Sequence, residues 1–281
     1  MNLIMAQFER VEPKIFSALL SVECSKQKID LVVLGEFVAN RFFKEYRNKA
    51  TLKREFEALC AYFGNLAKSL KTTIVVPLIE CESAETNGES TAKGRELSAF
   101  GSIFKGESKR DKFYKSIAIF DAKKVRFHRA TRLMRFSHWN ERAFFDNELR
   151  QRPKEPLVFS VGDFKVGAIF GWEAHFDEIM IALRKKGVDI LCVPCANTFG
   201  SNARWQRLMQ TRSFLNNCFV VRVNRVGGFV ENGNIWDFYG ESFIALPDGN
   251  LGDMLGEKEG ILVSEIRKET LDEVKDSWRF R

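Results

Sequence analysis

The stretch VGAIFGWEAHFDE, residues 166–178, combines a strand pattern with a helix pattern around one glycine. An apolar run from Val166 to Phe170 breaks at Gly171 and continues in a pattern that predicts a helix. A strand that turns sharply into a helix exposes its tip above the sheet, and such elbows often carry a nucleophile. Glycine at this tip has no reactive atom, so the segment is either a site that lost its nucleophile or a tight turn.

On both sides of this elbow, short apolar runs alternate with helical patterns. Apolar runs predict strands at 2–8, 29–37, 72–80, 188–194 and 218–224, with hairpins at 112–130 and 157–170 and late strands in ESFIALPDG and GILVSEI. Helical spacing predicts helices at 13–28, 51–70, 173–186 and 202–217. Strands of mixed pairing with helices in separate pairs indicate an α/β protein, a four-layer αββα sandwich.

The chain shows neither an internal repeat nor a convincing linker, so we expect residues 1–281 to form one domain. The segment 81–112 is polar and rich in Gly, Ser and Glu, which predicts a long loop or insertion that could act as a lid. Residues 267–281 form a charged tail.

Composition indicates a water-soluble protein. Hydrophobic residues make up 45% of the chain and charged residues 29%. No apolar run approaches the ~20 residues of a membrane span, and the first residues lack the pattern of a signal peptide. We therefore expect a cytoplasmic protein without membrane contact. The six cysteines are expected to be reduced thiols rather than a disulfide framework.

The net charge of +7 permits contact with nucleic acid, but acidic residues are interleaved with the basic ones, as in KEYRNKATLKREFE. This pattern favours an ordinary solvated surface. None of the known nucleic-acid-binding signatures is visible, so a nucleic-acid partner is not expected.

Six segments, in order, resemble the nitrilase superfamily of carbon–nitrogen hydrolases. IDLVVLGEF is similar to the family's strand that ends at a general base, which would be Glu36, and HWNERAFF places Glu141 at its second glutamate. KVRFHRATRL resembles the lysine segment, with Arg129 where lysine is expected, and the elbow has Gly171 where the nucleophilic cysteine is expected. VDILCVPCAN and YGESFIALPDG also fit. The resemblance implies a nitrilase-type αββα sandwich and no cofactor. It also implies a homodimer or higher homo-oligomer, with dimers formed through helices 173–186 and 202–217.

The family chemistry explains why two of these positions matter. A thiolate attacks an amide or nitrile carbon, a glutamate moves the protons, and a lysine stabilises the oxyanion. Gly171 cannot attack, and Arg129 keeps a charge but does not exchange protons. Arg129 could contact a substrate or form a salt bridge with Glu36 or Glu141.

Other residues have an ordinary structural interpretation beside the functional one. Glu36 could be the base or a carboxylate that caps or pairs at a strand end. Glu141 could orient the basic residue or a substrate, or be an exposed helix charge. Cys195, in CVPC, could be a surrogate nucleophile or part of a buried cysteine pair. The three histidines have no metal spacing, so no metal site is predicted. By position, Trp139, Trp172 and Asn197 are candidate walls of a substrate pocket.

Three functions follow from this pattern. The joint departure of cysteine and lysine favours a non-hydrolytic relative that binds a small amide, nitrile or carboxylate-type ligand, or acts as a partner subunit. The alternative is an active hydrolase that uses Glu36 with Cys195 or with activated water. The third is a basic interaction protein that uses the fold as a scaffold.

Overall fold

The computed structural model describes residues 1–83, 110–148, 155–231 and 233–279. Its helices are α1 (Pro13–Lys26), α2 (Leu52–Leu70), α3 (Asp177–Lys185), α4 (Asn202–Asn216) and α5 (Lys268–Trp278). Its strands are β1 (Asn2–Gln7), β2 (Leu31–Leu34), β3 (Thr73–Glu82), β4 (Lys112–Phe120), β5 (Val125–Arg129), β6 (Val158–Val161), β7 (Phe164–Ala168), β8 (Ile190–Cys195), β9 (Phe219–Asn224), β10 (Val226–Glu231), β11 (Asn234–Tyr239), β12 (Phe243–Ala245), β13 (Leu251–Met254) and β14 (Gly260–Glu265).

The strands form two six-stranded sheets of the same design and one separate hairpin. The first sheet has the order β14-β1-β2-β3-β4-β5, and the second has the order β13-β12-β9-β8-β7-β6. In each sheet three central strands are parallel, β1-β2-β3 and β7-β8-β9, and antiparallel strands flank them. The carboxyl ends of parallel strands are where α/β proteins place their ligands.

Three apolar clusters define the layers. One fills the space between the sheets, with Leu3, Val33, Val166 and Val221 among its members. A second packs Phe16 of α1 and Phe63 of α2 against the outer face of the first sheet. A third packs α3 and α4 against the outer face of the second sheet. The order helix, sheet, sheet, helix confirms the predicted αββα sandwich.

The amphipathic face of α3 belongs to this core. Ile179, Met180 and Leu183 are buried against the second sheet, whereas Ile181 on the opposite side is 42% exposed. The apolar spacing seen in the sequence therefore reports packing within the chain.

Several boundaries differ from those predicted. A 3-10 turn, Gly171–His175, follows β7, so α3 begins only at Asp177 instead of at 173. The hairpin of β10 and β11 was not predicted, because its glycines break the apolar run. Of the predicted insertion, residues 81, 82 and 112 belong to strands, and residues 84–109 lie outside the described residues. The charged tail contains α5, whose Leu271 is buried between the sheets.

No helix within the described ranges is long and apolar enough to cross a membrane.

Candidate active site

Glu36 lies where the two sheets meet at the carboxyl ends of their parallel strands. It follows β2, and its backbone N–H donates to the carbonyl of Cys195 at the end of β8, with an N–O distance of 3.0 Å. A Cβ atom on Gly35 would lie 3.0 Å from the backbone N of Arg225, so this close approach requires glycine. The Glu36 side chain is only 4% exposed.

A buried lysine joins the two glutamates of the site. The Nζ atom of Lys115, on β4, lies 2.9 Å from Oε2 of Glu36 and 2.5 Å from Oε1 of Glu141. Trp139 Nε1 and the backbone N–H of Met134 also donate to the Glu141 carboxylate. Because Lys115 and Glu141 are buried, this network holds the ammonium in one place without competing water.

The network sets the protonation of its members. Burial raises the pKa of Glu36 to about 7, and the ammonium of Lys115 offsets this only in part. Burial alone would lower the pKa of Lys115, but the carboxylates of Glu141 and Glu36 raise it above its usual value. The site thus combines a permanent cation with a carboxylate that changes charge near neutral pH.

Arg129 does not occupy the lysine position, which corrects the sequence-based expectation. Its guanidinium binds Glu80 and Glu82, with Nη2–O distances of 2.6 and 2.8 Å, and is 35% exposed. Arg129 is directly opposite Ser116 in the β4–β5 ladder, and opposite residues point to the same face. Lys115, next to Ser116, therefore points to the other face, which is the face of Glu36.

The sequence contains a feature that indicates Lys115. In the strand KFYKSIAIF, Lys115 is the only charged residue between Phe113 and Phe120. A lysine within a buried strand needs a carboxylate partner, because an unpaired buried charge is costly. Its position in the strand therefore indicates Lys115 as a site candidate, but not that Glu36 and Glu141 are its partners.

Gly171 and Cys195 compete for the same space. A Cβ atom built on Gly171 would lie 2.6 Å from the Sγ atom of Cys195 and 3.6 Å from the carbonyl oxygen of Pro194. Gly171 follows β7, and Cys195 ends β8, the neighbouring parallel strand. The thiol of Cys195 therefore occupies the volume into which a side chain at residue 171 would extend.

The Cys195 thiol is fully buried and donates to the carbonyl of Val193, with an S–O distance of 3.4 Å. Burial raises its pKa to about 12, while the nearby guanidinium of Arg222 and the ammonium of Lys115 act in the opposite direction. Cys192 is also a free thiol. It faces the core between the sheets, whereas Cys195 belongs to the helix-side cluster, so CVPC does not form a disulfide.

The described residues contain no group of histidine, cysteine and carboxylate side chains that could hold a metal ion.

Glu173 fixes the elbow, and the sequence analysis did not single it out. Its carboxylate accepts hydrogen bonds from the backbone N–H and the hydroxyl of Thr131, both at 2.7 Å, and from the backbone N–H of Phe170. His128 Nε2 lies 3.2 Å away. Burial alone would raise the pKa of Glu173, but His128 and the hydrogen bonds from Thr131 lower it to about 2. The buried charge ties the elbow to the end of β5.

A cavity of about 270 Å³ opens beside these groups, with Glu36 in its lining. Trp139, Trp172 and Asn197, the three pocket candidates from the sequence, all line it. Further aromatic walls come from Phe136, Trp205 and Trp236. A volume of this size suits a small organic molecule with one or two polar groups.

An αββα sandwich with a glutamate–lysine–glutamate network beside a cavity defines the class of carbon–nitrogen hydrolases of the nitrilase type. Residues 17–276 match the family model for the carbon-nitrogen hydrolase. The chain belongs to this family.

Similar proteins agree with this assignment. N-carbamoylputrescine amidase from Solanum tuberosum is 28% identical over 186 residues, which are 61% of this chain and 61% of that protein. Deaminated glutathione amidase from Synechocystis sp. (strain PCC 6803 / GT-S) is 30% identical over 124 residues, 43% of this chain and 44% of that protein. The chain thus spans about three fifths or less of these relatives.

The crystal structure of a carbon-nitrogen hydrolase from Helicobacter pylori G27 has the same fold. It superposes with a TM-score of 0.79 and 22% identity, covering 100% of this chain and 94% of that one.

Proposed function

We propose that the protein hydrolyses a small amide and that Cys195 supplies the thiol. The observation that carries this proposal is the position of the Cys195 Sγ atom, 2.6 Å from where a Cβ atom on Gly171 would lie. A non-hydrolytic protein would lack both the lysine and the cysteine of the family. Lys115 provides the cation, because its ammonium group lies between Glu36 and Glu141.

Each of the three residues has a role in this reaction. The Glu36 carboxylate takes the thiol proton of Cys195, and the thiolate attacks the carbonyl carbon of the amide. The Lys115 ammonium stabilises the oxyanion of the tetrahedral intermediate. When the C–N bond breaks, the leaving amine takes the proton from Glu36 and a thioester remains. Glu36 then takes a proton from water, and the hydroxide attacks the thioester. The C–S bond breaks, the Cys195 thiolate recovers the proton from Glu36, and a carboxylic acid is released.

The names of the relatives support an amide substrate. The two proteins described above are an N-carbamoylputrescine amidase and a deaminated glutathione amidase. Identities of 28% and 30% over part of each chain support cleavage of an amide-type C–N bond. They give less support for the structure of the remainder of the substrate.

Trapping of the thioester tests the proposal. The protein is incubated with a panel of small amides, nitriles and N-carbamoyl amines, quenched in acid, and its intact mass is measured. We expect an acyl adduct that peptide mapping locates on Cys195 and that Cys195→Ala abolishes. Cys192→Ala is the matched control, because this cysteine is equally buried but faces the core between the sheets. An adduct on another residue, or turnover that survives Cys195→Ala, would refute the assignment.

A second candidate is a protein that binds an amide without hydrolysing it. The favouring observation is the state of the thiol, since burial raises the pKa of Cys195 to about 12 and the thiol does not line the cavity. In this case members of the same panel bind, with heat released in calorimetry, but neither an adduct nor product forms.

We also propose that the protein dimerises through α3 and α4. Ile181 on α3 and Leu215 on α4 are each 42% exposed, and burial of such side chains favours association. Light scattering with Ile181→Glu and Leu215→Glu tests this, since both changes should yield monomer.

A further inference from the structure

The wall of the cavity formed by Asn197 has a defined polarity. The Nη2 atom of Arg222 donates to Oδ1 of Asn197 at 3.0 Å. Arginine has only donors, so the amide oxygen must face Arg222 and the amide NH₂ group must turn away from it. Asn197 lines the cavity, and its NH₂ group has no hydrogen-bond partner among the described residues. This wall therefore offers N–H donors.

The orientation of Asn197 is fixed from its backbone as well. The backbone N–H of Asn197 donates to Oδ1 of Asn224 at 2.7 Å, and Nδ2 of Asn224 donates back to the carbonyl of Asn197 at 3.1 Å. A side chain held at both ends loses little entropy when a ligand binds, which makes it suited to recognition.

Two cations flank this wall. Arg222 is 1% exposed and is held by neutral acceptors, the Tyr239 hydroxyl and the Glu241 carbonyl, without a carboxylate partner in the described part of the chain. Arg204 lines the cavity from α4 and forms no ion pair with any residue that the structure describes. The field of a buried, unneutralised guanidinium is weakly screened, so the charge of Arg222 acts on a ligand beside Asn197. Arg204 is exposed, so solvent screens its charge and it acts only at short range.

Negative charge is scarce in the same cavity. Among the residues that the structure describes, Glu36 is the only carboxylate in the cavity lining, and Lys115 already pairs with it. The aromatic walls could attract a cation, but the ring of Trp236 already has the ammonium of Lys44 at 5.2 Å from its centroid. The charges at this end of the cavity thus select an anion.

We propose that the ligand of this cavity carries a carboxylate, which accepts hydrogen bonds from the Asn197 amide and the Arg204 guanidinium, in addition to the amide group that faces Glu36. The amide end rests on the proposed function. The carboxylate end rests on the contacts of Asn197 and Arg222 and on the position of Arg204 in the cavity lining. The substrate class is accordingly an acyclic amide or ureido compound with a terminal acid.

Two probes of similar length test the charge preference. 4-Ureidobutyrate ends in a carboxylate, N-carbamoylputrescine ends in an ammonium group, and N-butylurea is the neutral reference. Binding is measured by calorimetry on the parent protein and on Cys195→Ala, so that hydrolysis does not interfere. We expect 4-ureidobutyrate to bind about 10-fold more tightly than either of the others, as loss of a charged hydrogen bond implies.

Variants of the wall localise the effect. Asn197→Asp keeps the shape of the side chain and turns a carboxylate toward the probe, and Arg204→Ala removes the cation. Each variant should bind 4-ureidobutyrate about 10-fold more weakly than the parent and bind N-butylurea with the same affinity. Arg207→Ala is the matched control, because Arg207 is exposed on the same helix and does not line the cavity.

The proposal is overturned if the ammonium probe binds more tightly, if all three probes bind equally, or if none binds. It is also overturned if Asn197→Asp and Arg204→Ala leave the affinity for 4-ureidobutyrate unchanged. Failure of the proposed function differs from these outcomes, because absent turnover with the expected binding order leaves the carboxylate preference in place.

Discussion

The Cys195 Sγ atom lies 2.6 Å from the position of a Cβ atom on Gly171, so the thiol and a side chain at residue 171 exclude each other. Gly171 follows β7, and Cys195 ends β8, the adjacent parallel strand. Lys115 is likewise one strand away from the expected position. It lies on β4, which pairs with the β5 segment where the family resemblance places a lysine. In both cases the neighbouring strand carries a group of the chemistry that the family resemblance places one strand away.

The first prediction concerns packing at this contact. Gly171→Ala should lower the free energy of unfolding by about 1–3 kcal/mol, since an added methyl group meets the thiol below van der Waals distance. In a Cys195→Gly background the same change should cost much less, because the two sites are in contact and their effects do not add. Urea denaturation of the four proteins measures the coupling. Gly256→Ala is the control, as a Cβ there meets nothing within 4 Å.

The second prediction is a pH profile. A base must be ionised to accept the thiol proton, and burial raises the pKa of Glu36 to about 7. We therefore expect kcat/KM to rise with pH through about 7 and to be low at pH 5, where Glu36 is protonated. Initial rates between pH 5 and 9 measure this. Glu36→Gln should remove turnover, and a profile that is flat over this range would contradict the role of Glu36 as the base.

The third prediction separates Lys115 from Arg129. Lys115→Met leaves Glu36 and Glu141 buried without their cation, which should cost about 3–5 kcal/mol of stability and abolish turnover. Arg129→Gln breaks a partly exposed pair and should cost less than about 1 kcal/mol.

Lys115→Met combined with Glu141→Leu serves to separate folding from chemistry. The double change should recover part of the stability because fewer buried charges remain unpaired, but it should not recover turnover. Loss of activity in Arg129→Gln, with Lys115→Met active, would reverse the assignment.

The sequence predicted the layers of the fold because apolar periodicity reports which face of each element is buried. It also indicated Glu36, Glu141 and three walls of the cavity, since these lie in segments whose order resembles the family. The sequence pattern placed the basic residue of the site at Arg129, because it does not show strand register. Register decides which face of the sheet a side chain occupies, and in the β4–β5 pairing Arg129 lies opposite Ser116, on the face away from Glu36. The contact between Gly171 and Cys195 depends on the packing of two strand ends and is invisible in a linear pattern.

The fourth prediction concerns acid stability. The pKa of Glu173 is lowered to about 2 in the folded chain, against ~4.3 for an unfolded glutamate. The ionised form therefore stabilises the fold at pH values above ~4.3, and this contribution, on the order of 3 kcal/mol, is lost as the pH falls toward 2. Chemical denaturation from pH 7 to 3 should show a steeper loss in the parent than in Glu173→Gln. Parallel curves would show that Glu173 carries no such linkage.

The fifth prediction concerns a variant in which the thiol is transferred from residue 195 to residue 171. Gly171→Cys alone should be destabilising and poorly active, because its Cβ meets the Cys195 thiol. Gly171→Cys with Cys195→Ala relieves the contact and places one thiol on the elbow beside Glu36 and Lys115. We expect this double variant to regain turnover that Cys195→Ala lacks, as measured by steady-state rates on the substrate found for the parent.

The result has a distinct meaning for each candidate function. If the parent is active and the double variant restores activity to Cys195→Ala, either strand end can deliver the nucleophile to one pocket. If the parent is inactive and only the double variant hydrolyses the ligand, the protein is the non-hydrolytic binder, and the glutamates and Lys115 still form a competent site. Since Arg129 lies outside the glutamate network, adding Arg129→Lys should change neither outcome.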